Sequence, residues 1–467
     1  MTGQGPPGDA TGQGPPGQAT GQGSAEGSAS HEPPDPATRR VPIAVIVREW
    51  GRIGCIGFGG PPAHITLLRK LCVQDRGWLA EAEFEDGIAT VNLLPGPAST
   101  QLAIYCAWRL RGVAGALVGG ACFILPGLAL ILGLAAVFLS TRPPGWIAGA
   151  ALGAGAAVPG VAVAAAVGLI PASWRRTGAG APREGSEGAS RQTGAGAPRE
   201  GSEGASRQRS EGAPRVRHRA RPAHLARARW GGYLVAGGAA AAAVGPWLVL
   251  VLAACGLLEV AFRHRPRSQP RGAAARAGVM LPLASAVPVV GGLGALAWVA
   301  FKVGALSYGG GFVIIPLMQH DAVHTYHWLT AAQFLTAVAL GQVTPGPVVQ
   351  TVAVVGFAAA GVGGGLFAAL IAFAPSFGFV LAGGPYFGRL RRNAAVQAFL
   401  SGAGPAAIGA IAGTAIPLGA SLAHLWQAGV MVLAAGWLIG LRRGVVTGIV
   451  GAAALGVIAS VLGWPVA

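Results

Sequence analysis

Polar positions in this chain are bunched, and the stretches between them are apolar over lengths that suit a bilayer. Val113–Leu139 and Ala394–Leu422 are two such runs. About 18 or more consecutive apolar residues read as a membrane-spanning helix. On this pattern the first half carries segments at 41–57, 86–108, 113–139, 146–171 and 231–262, the last long enough for two short helices. The second half carries 281–306, 334–357, 361–382, 394–421, 425–441 and 445–464. The prediction is an all-α polytopic membrane protein with about ten to thirteen transmembrane or re-entrant segments.

The pattern repeats. Gly59-Gly60, Trp78-Leu79, Phe84 and Pro95-Gly96-Pro97 recur as Gly309-Gly310, Trp328-Leu329, Phe334 and Pro345-Gly346-Pro347, each 250 positions later. Further on, Gly153-Ala-Gly155 recurs as Gly402-Ala-Gly404, 249 positions later. Two homologous halves with broken helices at matching places are a transporter signature, the substrate site lying at the repeat interface near the midplane. Loop charge suggests that the halves are inverted. Arg69, Lys70 and Arg76 follow the first motif, whereas 320–327 has neither Lys nor Arg, and Arg389, Arg391 and Arg392 follow the third span of the second half. Arg109 and Arg111 do not fit that scheme easily.

Composition agrees. Hydrophobic residues make up 52% and charged residues 11%, against about 25% charged in soluble domains. The 77 glycines suit close helix packing in lipid. The net charge of +17 is mostly arginine beside apolar spans, which points to anionic headgroups rather than nucleic acid. The five cysteines form no CxxC and read as small buried hydrophobes. Residues 1–40 are low complexity, with TGQGPPG twice and no apolar signal region. A repeat, TGAGAPREGSEGASRQ, fills 177–208 and leads into an Arg-rich stretch. The expected organisation is a disordered tail (1–40), an N-terminal repeat (41–174, completed by 230–262), a disordered Arg-rich linker (175–229) and a C-terminal repeat (277–467).

Chemistry concentrates at the breaks. GCIGFGGPPAHI (54–65) and GALSYGGGFVII (304–315) each join a small-residue helix to a Gly-Gly break. Glycine permits the required backbone, Pro61 suits the first turn of a new helix, and a helix start aims N–H groups at an anion. A hinge or tight crossing is the structural alternative. VNLLPGPASTQ (91–101) and GQVTPGPVVQT (341–351) break a helix with two prolines each. Non-helical backbone at membrane depth belongs beside protein or a water-filled cavity. Neutral hydrogen-bonding side chains surround these breaks, as a tetrahedral oxyanion requires, and carboxylates do not.

The candidate substrate-binding set is Arg52, Gly59, Gly60, Pro61, His64, Asn92, Pro95, Gly96, Pro97, Ser99, Thr100 and Gln101, with Lys302, Gly309, Gly310, Gly311, Gln342, Thr344, Pro345, Gly346, Pro347, Gln350 and Thr351 in the second half. Lys302 is isolated in an apolar stretch, either functional or snorkelling. His64, without a counterpart in the second half, reads as a gate, a proton carrier or a structural residue. Glu259, near a span end beside Arg263, reads as one of a pair or as an interfacial residue. Trp78 and Trp328 read as interfacial anchors, and Thr330 with Gln333 as a capping box. No hydrolase triad, phosphate loop or HExxH motif is present, so neither enzymatic activity nor a metal or other cofactor is expected.

Taken in order, GFGGPPAHI, RGWLAEAEFED, LLPGPASTQLA, SYGGGFVIIPLM and VTPGPVVQTVAVVGF resemble the chromate ion transporter family in its long, two-domain form, over about residues 45–465. The resemblance implies a secondary carrier of the bacterial inner membrane that exports chromate and confers resistance to it. Sulfate is the related or competing oxyanion, and the coupling ion and any homo-oligomer are left open. Sulfate uptake or channel-like anion permeation is the alternative. The departures are Ala80, where a Ser or Thr cap is expected, and the Arg-rich insert.

Overall fold

The computed structural model describes residues 41–92, 94–140, 143–178, 223–243, 247–263, 292–307, 312–383, 386, 389 and 392–465. The tail 1–40, the linker from 179 to 222, and Gly309, Gly310 and Gly311 lie outside the described residues.

The first half opens with two helical hairpins. Helix α1 (Ile43–Ile56) turns at Gly59 and Gly60, whose φ values of 100° and 72° favour glycine, into α2 (Pro61–Arg69), which a π turn extends over Lys70–Asp75. Pro61 sits in the first turn of α2, as expected. Arg76 donates to Glu49 at 3.0 Å, and Trp50 stacks on Trp78 at 6.4 Å, which ties the two arms together away from the tip. Helix α3 (Glu81–Val91) leads through Pro95-Gly96-Pro97 into α4 (Ala98–Phe138). The arms of this second hairpin meet at positions equidistant from Gly96: Gly87 lies against Tyr105, and Glu83 pairs with Arg109.

Helix α4 is two helices. Arg111 (φ −147°, ψ 19°) and Gly112 (φ 61°) reverse the chain between α4a (98–110) and α4b (113–138). A Cβ on Gly115 would lie 2.3 Å from the Ala107 carbonyl oxygen, so the two pieces pack side by side and antiparallel. Segment 86–108, predicted as one span, is therefore a re-entrant helix–break–helix. A positive φ of 120° at Gly96 folds the chain back, where a single proline would only kink it. Arg109, awkward in the charge scheme, lies at the open end of this hairpin beside Glu83.

The second half repeats this design. Helix α8 (Leu293–Leu306) is followed by a 3-10 turn (Phe312–Ile314), α9 (Ile315–Gln319) and a π turn (His320–Thr325) in register with the first. After each π turn the tryptophan N–H donates back to the same carbonyl position, Trp78 to Cys72 at 2.7 Å and Trp328 to Ala322 at 2.8 Å. Helix α10 (Ala331–Val343) carries the expected Thr330–Gln333 capping box, absent at Ala80. A 3-10 turn (Val348–Gln350) opens α11 (Thr351–Gly383), which breaks at Ala360 (φ −152°) and Gly361 (φ 64°) into α11a (351–359) and α11b (362–383). Segment 334–357 is likewise re-entrant.

Helices α5 (Gly145–Gly178), α6 (Ala223–Ala243) and α7 (Leu248–Arg263) complete the first half. Helices α12 (Ala394–Gly413), α13 (Ala415–Ala420), α14 (Leu425–Ala435, prolonged by a π turn at Gly436–Gly440) and α15 (Val445–Val461) complete the second. The 231–262 segment is two helices, as its length suggests. Both ends of the expected linker are helical, because α5 continues to Gly178 and α6 begins at Ala223. Arg229 supplies a reason: it donates to buried Glu259 at 3.0 Å, beside Arg263 at 2.8 Å.

Equivalent helices of the two halves run in opposite directions. Along α4b, Gly120 lies against Phe377 and Leu132 against Gly365 of α11b, so the partner numbers fall as those of α4b rise. The halves are inverted repeats, and they interlock. Helix α5 packs on α15 and α14, and α12 packs on α6 and α7. Small residues make this possible: a Cβ on Gly149 would meet the Gly456 carbonyl at 2.4 Å, and one on Gly153 the Ala452 carbonyl at 2.3 Å. Among the described residues four helices are long and apolar enough to cross a membrane.

Candidate functional site

The tips of the hairpins meet across the two halves. Gly96 N–H donates to the Ser307 carbonyl at 2.5 Å, and Gly346 N–H donates to the Gly57 carbonyl at 3.1 Å. Ser307 and Gly57 are the matching residues that end α8 and α1, so each Pro-Gly-Pro is held by the first hairpin of the opposite half. Both central glycines have positive φ, 120° at Gly96 and 106° at Gly346. The tips also lie beside the middle of the long helices. A Cβ on Gly127 of α4b would sit 1.9 Å from the Pro345 carbonyl, and the Ser376 hydroxyl of α11b is 3.3 Å from where a Gly96 Cβ would be. With α4b about 39 Å long at 1.5 Å per residue, both tips lie well inside the apolar length of these helices rather than at their ends.

Polar side-chain atoms buried around these tips have no hydrogen-bond partner among the described residues: Thr100 Oγ1, Gln101 Oε1, Ser307 Oγ, Gln342 Nε2, Gln350 Oε1, Ser376 Oγ and His64 Nδ1. Each buried, unsatisfied group costs about 1–3 kcal/mol. Seven together rival the whole stability of a typical domain, about 5–15 kcal/mol. Their concentration at two symmetry-related breaks makes these breaks the candidate site.

The two breaks differ. At the first, Gly96 is ringed by the Gln101 amide, the Ser376 hydroxyl and Ser307. At the second, Gly127 and Gly57 stand where the first has those serines, and the space is filled by Gln350, the Pro345 carbonyl and His64. His64 Nε2 lies 2.8 Å from the Gly57 carbonyl, which fixes Nε2 as the protonated nitrogen, and its ring meets Phe123 edge-on at 5.0 Å. Both central glycines, Gly96 and Gly346, are buried; within the two Pro-Gly-Pro turns only Pro95 is exposed, its counterpart Pro345 being buried. The first break thus carries more hydroxyls.

Backbone adds donors there. The first intrahelical bond of α4a runs from Gln101 N to Pro97 O at 3.0 Å, so the N–H groups of Ala98, Ser99 and Thr100 precede it and point out of the helix start. Ser99 and Thr100 are buried, while Thr344 and Thr351 donate to the Leu340 and Val348 carbonyls at 2.9 and 2.8 Å. Pro97 and Pro347 are buried beside their glycines, and Asn92 is half-buried at the end of α3.

Two residues from the sequence-derived set sit elsewhere. The isolation of Lys302 does not survive folding: its ammonium pairs with Asp321 Oδ2 at 2.5 Å and lies 5.6 Å from the Trp298 ring centre. Asp321 was hidden because it lies 19 positions away on the other arm of the hairpin. The Arg52 side chain is 65% exposed and lies 3.7 Å from Glu49, which Arg48 and Arg76 also approach. Conversely, Ser307 and Ser376 were missed. Their signal was present in the repeat, since each is a serine where the other half has a glycine.

The Chromate transporter family profile matches residues 44–260 and 294–458, one stretch in each half. The chain is 30% identical over 380 residues to the "Chromate transport protein" of Cupriavidus metallidurans, covering 80% of this chain and 82% of that protein. It is 27% identical over 403 residues to the "Probable chromate transport protein" of Synechococcus elongatus, covering 84% and 89%. It is also 27% identical over 384 residues to the "Chromate transport protein" of Pseudomonas aeruginosa, covering 79% of each. No solved structure matches the chain. With both halves matched and the paired breaks at their interface, this multi-pass membrane protein is a transporter rather than an enzyme, and it belongs to the chromate transporter family.

Proposed function

We propose that the protein is a secondary carrier that exports chromate across a bacterial inner membrane, giving resistance to it, with the substrate held at the first Pro-Gly-Pro break. The observation that carries this reading is the group of buried Thr100, Ser307 and Ser376 hydroxyls, without hydrogen-bond partners among the described residues, beside the N–H groups that open α4a. Hydroxyl and N–H donors with no carboxylate among them suit a tetrahedral oxyanion. Sulfate is the related oxyanion against which selectivity is to be measured. Inverted halves with matching broken helices favour a carrier over a channel.

The test is chromate flux in proteoliposomes. Chromate loaded on the far side should accelerate entry of labelled chromate. Flux without such trans-stimulation would support a channel, and flux equal to empty liposomes under every imposed ion gradient would end the reading.

A further inference from the structure

We infer that the site takes the oxyanion in its singly protonated form, hydrogen chromate, and that Gln101 is the residue that selects it. The inference rests on the site proposed above.

Gln101 is fully buried, and its Nε2 donates to the Pro95 carbonyl at 2.6 Å. A carbonyl oxygen only accepts, so the atom facing Pro95 must be the nitrogen and the amide cannot be flipped. Oε1 is then committed to the other direction, buried and without a protein partner. An amide oxygen is an acceptor and nothing else. Any ligand atom that meets it must bring a hydrogen.

The second half uses the same device. Gln350 Nε2 donates to the Ile124 carbonyl at 2.8 Å, and its Oε1 is likewise buried and unpartnered. Two glutamines at matching breaks thus present fixed acceptors, which a site for a fully deprotonated dianion would avoid.

Chromate dianion has four acceptor oxygens and no donor. Against Gln101 Oε1 it would set lone pair against lone pair in a dry site, at the cost of a buried unsatisfied acceptor. Hydrogen chromate carries one O–H, which donates to Oε1. Its three other oxygens accept from the Ser307 and Ser376 hydroxyls and the N–H groups at the start of α4a. The proton travels as part of the cargo, so each turnover moves one negative charge rather than two. The same geometry sorts chromate from sulfate. Chromate binds its last proton in the near-neutral range, whereas sulfate does so only in strong acid.

Protein titration is the competing source of any pH effect, and few groups face Gln101. No charged residue lies on α11a or α11b (351–383). On α8, Lys302 is paired with Asp321; on α2, His64 is bonded to Gly57; on α1, Glu49 lies among Arg48, Arg52 and Arg76. Tyr105, Cys106 and Cys122 of α4 and Cys55 of α1 are a phenol and thiols, whose ordinary ranges lie above about pH 8. On α3 and α4, Glu81, Glu83, Glu85, Asp86, Arg109 and Arg111 lie toward the open end of the hairpin.

The test uses the full chain, purified and reconstituted, with labelled chromate at fixed membrane potential from about pH 6 to about pH 8. Affinity for total chromate should fall about tenfold per pH unit above the second ionisation of chromate, as uptake of one proton with the ligand requires. Sulfate should compete poorly at neutral pH, and His64→Gln should keep the slope. Gln101→Met, similar in size but without an acceptor, should bind more weakly and lose the slope. A flat pH profile, equal competition by sulfate, or a slope that Gln101→Met keeps or His64→Gln abolishes overturns the proposal while leaving the site in place. Should Gln101→Met and Ser376→Ala both bind like the parent, the site itself is wrong. The parent profile and Ser376→Ala decide the matter even where Gln101→Met does not fold.

Discussion

Gly96 is the residue on which the first break turns. Its φ of 120° is closed to β-branched side chains, and a Cβ there would lie 2.4 Å from Gln101 Nε2. Gly96→Val should abolish chromate flux in proteoliposomes, since strain of about 1–3 kcal/mol and a displaced Gln101 act on one atom group. Normal flux would show that the special backbone is dispensable. Lys302 calls for a different expectation. With Lys302 16% and Asp321 8% exposed, removing the cation strands a buried carboxylate. Lys302→Met should destabilise the protein by about 3–5 kcal/mol, and Asp321→Asn in the same chain should restore most of the loss. A thermal-unfolding comparison in detergent checks this. Equal melting of parent and single variant would place Lys302 outside the structural framework.

At the scale of elements, what the sequence made legible were the positions of the breaks, because proline and glycine report locally. The paired prolines at 95 and 97, the Gly-Gly at 59–60 and the division near residue 112 all appear where the pattern put them. Direction was not legible. Hydropathy cannot distinguish a kinked span from a hairpin that returns to its own side, because both are apolar throughout. Only contacts equidistant from Gly96, such as Gly87 with Tyr105, separate the two. Partners of charged residues were hidden for the same reason. Asp321 and Glu49 lie on opposite hairpin arms from Lys302 and Arg76, and no sequence window brings them together. The serines of the site could have been found by asking where the repeat fails: Ser307 for Gly57 and Ser376 for Gly127 are departures from symmetry inside the most symmetrical region. A duplicated scaffold positions a site, and its unmatched residues give that site one polarity.

At the scale of the molecule, inversion sets what each surface can reach. Hairpins α1–α2 and α3–α4a enter from one side of the bilayer, and α8–α9 and α10–α11a from the other, because α4b and α11b run antiparallel between them. The matching helix starts at Glu81 and Ala331 therefore lie on opposite faces. Single cysteines placed there, in a chain whose five native cysteines are replaced, should react with a membrane-impermeant maleimide from opposite sides: Glu81→Cys in intact cells or in everted vesicles, and Ala331→Cys only in the other preparation. Labelling of both from one side would refute the inverted arrangement. It would also remove the basis for a shared site, because the two Pro-Gly-Pro turns could not then meet the opposite halves where Gly96 binds Ser307 and Gly346 binds Gly57.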